Sequence, residues 1–127
     1  MRAAAAVVAL ALAACAPLPP AGDAPIPAGL QGRWGLVPAD CDPARDDAKG
    51  LMTVGPDTLR FYEARARVAA ITARSPDRLA ARFAFEGEGT TWTREIDFRL
   101  VGGGERLIRN ETGPDAMPGP LTYRRCP

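Results

Sequence analysis

Two runs of apolar–polar alternation constrain this chain more than anything else in it. Leu79, Ala81, Phe83 and Phe85 interleave with Ala80, Arg82, Ala84 and Glu86; Trp92, Ile96, Phe98 and Leu100 interleave with Thr91, Thr93, Glu95, Asp97 and Arg99. A period of two puts the apolar set on one face of an extended strand and the polar set on the other, so both runs are expected to be half-buried β-strands. Gly87-Glu88-Gly89 between them is expected to be a hairpin tip, and Gly102-Gly103-Gly104 separates the second run from a further candidate strand over residues 105–111. Upstream, residues 51–54 and 58–62 flank Gly55-Pro56-Asp57, which predicts a second hairpin. Residues 31–37 and 121–126 read as first and last strands, with Gly113-Pro114 and Pro118-Gly119-Pro120 enforcing a loop before the last. The stretch 63–74 fits either state. Its Ala and Arg content and the spacing of Ala64, Val68 and Ile71 suit a helix, whereas its place between strands and the Ser75-Pro76-Asp77 turn favour a strand, which is the expectation adopted. Roughly seven or eight short antiparallel strands with frequent turns describe an all-β fold, a sandwich or a closed meander, with a small up-and-down barrel as the expected form.

Composition then removes functional classes. At 127 residues and 46% hydrophobic, the chain is too short for two ordinary domains and too apolar to be unfolded throughout. Sixteen basic against fifteen acidic residues leave a net charge of +1, so there is no overall basic footprint for nucleic acid. The chain has no histidine, which removes the commonest metal ligand and the side chain best suited to general-base work near neutrality. No metal, no cofactor and no catalytic residue is therefore expected. Asp40, Asp42, Asp46 and Asp47 crowd one segment, but their spacing does not follow the calcium-loop template, and Arg45 and Lys49 lie among them, so a solvated loop is expected. Glu86, Glu88, Glu95 and Glu111 are read as ordinary strand and turn glutamates, not as a glycosidase pair.

The amino terminus carries an address. Arg2 is followed by residues 3–14, all Ala, Val or Leu, a run too short to span a bilayer and soon followed by Pro17, Pro19 and Pro20. It closes on Leu12-Ala13-Ala14-Cys15, which resembles the lipobox of bacterial lipoproteins. The resemblance implies a signal peptide over 1–14, cleavage before Cys15, and acylation of the Cys15 thiol and of its new amine, which together anchor far more firmly than a single chain does. Ala16 stands where enteric inner-membrane lipoproteins have Asp, which implies the outer membrane, with the domain facing the periplasm. Five prolines between Ala16 and Gly29 predict a tether over 15–29; its fourteen residues after Cys15 would span roughly 43 Å in a polyproline state. The barrel domain is then expected over 30–127.

Two cysteines remain inside that domain. In an oxidising compartment, Cys41 and Cys126, near its two ends, are expected to form one disulfide. A thiol nucleophile is the rival reading, and it has no histidine to generate the thiolate.

Gly32-Arg33-Trp34 opens the domain and resembles the Gly-x-Trp motif of the calycin superfamily, which includes lipocalins, avidins and small bacterial metalloprotease inhibitors. The resemblance implies that Trp34 closes one barrel end and that an arginine of the last strand, Arg124 or Arg125, lies across its ring in a cation–π contact. Arg124 and Cys126 share one strand face and Tyr123 and Arg125 the other. Arg94 breaks its pattern by falling between Trp92 and Ile96 on the apolar face. It is expected either at a bulge or at the barrel mouth with its head in water, or else as an anion or carboxylate hook inside the barrel.

The function expected from these features is that of a non-enzymatic, monomeric, lipid-anchored binding or inhibitor-like module. Its partners would be the membrane, through the anchor, and a protein of the periplasm. A carrier of a small apolar ligand and a structural envelope protein are the alternatives. Several aromatics pointing into so small a barrel leave little interior room, so loops are expected to do the binding.

Overall fold

The structure, a computed structural model, describes residues 24–127. The expected signal peptide over 1–14, the lipidated Cys15 and the first part of the tether lie outside the described residues. Eight antiparallel strands follow in order: β1 (Gly32–Gly35), β2 (Met52–Val54), β3 (Thr58–Arg60), β4 (Arg65–Ser75), β5 (Arg78–Gly87), β6 (Thr90–Val101), β7 (Arg106–Thr112) and β8 (Leu121–Arg125). Each pairs with the next in sequence, and β1 pairs with β8 through Trp34 opposite Arg125 and Gly35 opposite Arg124, so the meander closes into a barrel. The all-β expectation thus resolves to an eight-stranded up-and-down barrel.

The ambiguous stretch is strand β4, paired along its whole length with β5, with register shifts between Val68 and Ala70 and between Ile71 and Ala73. Tertiary pairing outweighs the modest helix preference of alanine and arginine, because the backbone edge of β5 needs a hydrogen-bonded neighbour. Gly87 and Thr90 are paired across the β5–β6 hairpin, leaving Glu88 (φ 50°) and Gly89 (φ 76°) as a two-residue turn with both residues left-handed. That geometry follows the right-handed twist of the strands it joins.

Inward positions obey the alternation closely. Leu79, Ala81, Phe83 and Phe85 on β5 are buried, as are Ile96 and Phe98 on β6, Leu107 on β7 and Tyr123 on β8. Phe83 meets Phe98 edge-on at 5.9 Å, while Phe61, Phe85 and Trp92 form a stack with centroid spacings of 5.7 and 5.5 Å. These side chains and the fully buried Trp34, Met52 and Leu59 fill the barrel as a solid core.

The core extends further toward the amino terminus than composition suggests. Ile26 is as buried as Leu30, and its amide donates to the Pro56 carbonyl. Arg74 donates to the carbonyls of Ala24 and Pro25. Residues 24–29, expected as tether, therefore pack across one end of the barrel, because a single isoleucine among prolines suffices to seal the gap between short strands.

Alternation of strand direction sorts the connections. Residues 36–51, 61–64, 88–89 and 113–120 lie at one end, the loop end; residues 55–57, 76–77 and 102–105 lie at the other with the 24–31 segment and the last residues of the chain. Cys41, on the long β1–β2 loop, and Cys126 are joined by a disulfide with a Cα separation of 5.2 Å, spanning 85 positions. The loop folds back against β1: a Cβ placed on Gly35 would lie 2.9 Å from the Cys41 sulfur.

Candidate functional site

At the sealed end, Trp34 is wholly buried and its indole N–H donates to the Leu30 carbonyl at 2.9 Å. Of the two arginines the resemblance offered, Arg125 covers the ring, its guanidinium carbon 4.2 Å from the centroid. Arg124 is on the outer face and exposed. The Arg125 fork donates to the carbonyls of Gly104, Gln31 and Gly29 at 2.9, 3.0 and 2.7 Å, which ties three chain segments to one cation. Gly32 has φ 126°, and a Cβ there would stand 3.1 Å from Arg125 Nη1, so the glycine serves both the backbone turn and the approach of the guanidinium. Motif and arginine together make a structural clasp that ties the amino-terminal segment to the barrel.

Arg94 sits at the other end. The register of β5 on β6 runs without a shift through Phe83 opposite Arg94, so there is no bulge and the side chain does point inward, one-quarter exposed at the mouth. Its Nε is 3.7 Å from Oε2 of Glu111. Glu111 itself is inward-facing, its side chain only 4% exposed, which corrects its reading as an ordinary strand glutamate. Arg109 donates through Nη2 to Glu111 Oε1 and through Nη1 to the Tyr123 hydroxyl at 3.2 Å, and stands 4.8 Å over the Phe61 ring. The Met117 amide of the β7–β8 loop donates to Glu111 Oε2 at 3.0 Å. The carboxylate that Arg94 was expected to attract is thus supplied by the chain itself. Two guanidiniums share one buried carboxylate and pin the loop over the mouth.

Sequence reasoning missed Arg109 and Glu111. The signal was present in the phase of Leu107, Arg109 and Glu111, which places both charges on the face of a buried leucine.

The aspartate-rich loop resolves differently for each residue. Asp40 is buried and accepts from the amides of Leu36, Val37 and Gly50, so it organises the loop's backbone. Asp47 is exposed and held below the usual carboxylate range by hydrogen bonds from Arg45, while Asp42 caps the Ala44 amide. Among the described residues, no three His, Cys, Asp or Glu side chains come together as a metal site.

Among the described residues, the outer wall of β3 to β6 is concave in two adjoining regions. One, of about 820 Å3, lies across β3 to β6 and is lined by outward Thr58, Arg60, Arg65, Arg67, Ala84, Glu86, Thr91 and Thr93 together with the inward-facing Leu59, Ala66, Phe85 and Trp92 between them. A second, of about 610 Å3, continues it toward the loop end past Glu63, Gly87 and Gly89. Among the described residues, five large apolar side chains are exposed: Leu36, Val37, Tyr62, Ile71 and Met117. Four of them, all but Ile71, sit on connections at the loop end. Comparison with protein-family models, with curated proteins and with solved structures finds no match for the chain.

Proposed function

We propose that this chain is a lipid-anchored protein of the bacterial envelope whose barrel, calycin-like in architecture, is a non-enzymatic module that binds another protein through its loop end. The observation that carries this reading is the placement of Leu36, Val37, Tyr62 and Met117 on loops opposite the end where the amino-terminal segment packs. A tether emerging at the sealed end presents the other end to the periplasm, and apolar side chains held on a rigid scaffold are what a protein partner buries. The packed interior argues against the carrier alternative, since Trp34, Phe83, Phe98, Leu59 and Leu107 occupy the space that a ligand would need.

The anchor is the lipobox cysteine. Between Cys15 and Ala24 the chain can extend at most about 30 Å, so the barrel stays close to the membrane it is anchored in. Mass spectrometry of the membrane-extracted protein is expected to show Cys15 as the amino terminus, carrying acyl mass. A soluble protein cut at another site would remove the anchor from the proposal.

Binding is tested by placing a photo-crosslinking amino acid at Val37, Tyr62 or Met117 in turn and irradiating intact cells. A discrete protein adduct from these positions, absent when the crosslinker replaces Arg106 at the opposite end, is the expected result. A small molecule or lipid recovered from the barrel interior would establish the carrier instead, and a uniform lack of adducts would leave a structural envelope role.

A further inference from the structure

We propose that the outer wall of β3 to β6 is a binding site for a phosphate-bearing anion, built from Arg60, Arg65 and Arg67. The site is independent of the loop-end surface and of the filled interior. It starts from a conflict in the register. Arg60 and Arg65 are directly opposite one another on β3 and β4, and Thr58 is opposite Arg67, so three guanidiniums crowd two rows of one short strand pair. Like charges opposite each other destabilise a sheet, and among the described residues Glu86, which accepts from Arg65 Nε, is the one carboxylate paired to the group. Among the described residues, neither Arg60 nor Arg67 forms an ion pair.

The neighbouring wall shows how this chain treats outward arginines elsewhere. On β5 and β6, Arg82 is paired with Glu95 at 2.7 Å, and Arg78 and Arg99 share Asp97 at 2.8 and 3.6 Å. Cation neutralisation stops where β4 meets β3, and there the surface becomes concave. Ala84 lies between Arg67 and Thr93 in the register, so the row has no bulky side chain at its centre, and the resulting depression holds about 820 Å3. Thr58, Thr91 and Thr93 bring hydroxyl donors to the same rim.

Planar guanidiniums in such an array match the paired oxygens of a phosphate, and a bound anion relieves the repulsion between Arg60 and Arg65. The phosphate could be carried by a lipid headgroup or be free in solution, and both sources present the same chemistry to the arginines. A second like-charge pair, Arg106 opposite Arg124 on β7 and β8, supplies an internal control because neither residue lines this depression or the one that continues it.

The test uses the full lipidated chain in a non-ionic, phosphate-free detergent. Amide NMR spectra are followed during titration with inorganic phosphate and, separately, with short-chain phosphatidylglycerol, against chloride at equal ionic strength. Saturable shifts confined to residues 58–67 and 84–93 are expected. The double variant R60Q/R67Q should bind at least about ten-fold more weakly, and R106Q/R124Q should bind as the parent does. Both pairs are exposed, so an unchanged amide pattern over the rest of the barrel certifies the fold of each variant. Saturation by inorganic phosphate identifies a free anion as sufficient, and saturation by the lipid alone identifies a headgroup. Absence of a saturable shift with both probes, or equal loss in the two variants, would overturn the proposal.

Discussion

Opening the disulfide is expected to cost about 4.5 kcal/mol, because Cys41 and Cys126 close a loop spanning 85 positions and the unfolded chain regains that freedom when they are separated. The domain's whole stability falls in a range of about 5–15 kcal/mol, so the bond accounts for a large share of it. In thermal denaturation, the C41S/C126S variant should melt about 20 °C or more below the parent, and reductant should lower the parent's midpoint to a similar value. The loop would keep part of its form, since Asp40 holds the amides of Leu36, Val37 and Gly50 independently of the sulfur bridge. A drop of only a few degrees would show that the unfolded chain is already constrained without the bond.

Replacing Trp34 by alanine is the second large effect. Removing a fully buried indole typically costs about 3–5 kcal/mol, and here it also leaves the Leu30 carbonyl without its donor and Arg125 without a ring to cover. The R125K variant separates the two contributions: a lysine keeps the charge but cannot reach three carbonyls with one planar fork, so a smaller loss of about 1–2 kcal/mol is expected. Denaturant melts of W34A and R125K measure both. Limited proteolysis should find new cleavage around residues 28–31 in each variant, because Gly29, Leu30 and Gln31 give their carbonyls to this clasp, whereas Ala24, Pro25 and Ile26 are held separately by Arg74 and Pro56. If R125K melted like the parent, the three carbonyl contacts would be of little consequence.

Much of the architecture is readable from periodicity alone. The alternation through β5 and β6 set which residues face inward, and it did so because side chains of a strand point to opposite faces whatever the strand packs against. Gly-Pro punctuation located the turns for a similarly local reason: those residues restrict φ and ψ before any tertiary contact exists. With Cys15 read as the lipidated residue, the two remaining cysteines, Cys41 and Cys126, can pair in one way only.

Tertiary structure decided the rest. Whether residues 65–75 would be strand or helix depended on a neighbour, β5, that lies beyond the next turn. The choice between Arg124 and Arg125 needed the register of β8 on β1, since a shift of one residue exchanges the faces. Ile26 looked like part of a tether because its burial partners come from distant turns. Arg109 and Glu111 each appear costly at an inward position; together, with Arg94 and the Met117 amide, they offset most of that cost, leaving only the buried Arg109 Nε without a hydrogen-bond partner among the described residues, and that reciprocity exists only once β6, β7 and the loop after β7 are side by side. The arginines of β3 and β4 likewise read as scattered surface charge in a nearly neutral chain. Folding puts Arg60 opposite Arg65 and leaves both beside a concave wall, because charge neutrality is a property of the sequence and charge proximity is a property of the sheet.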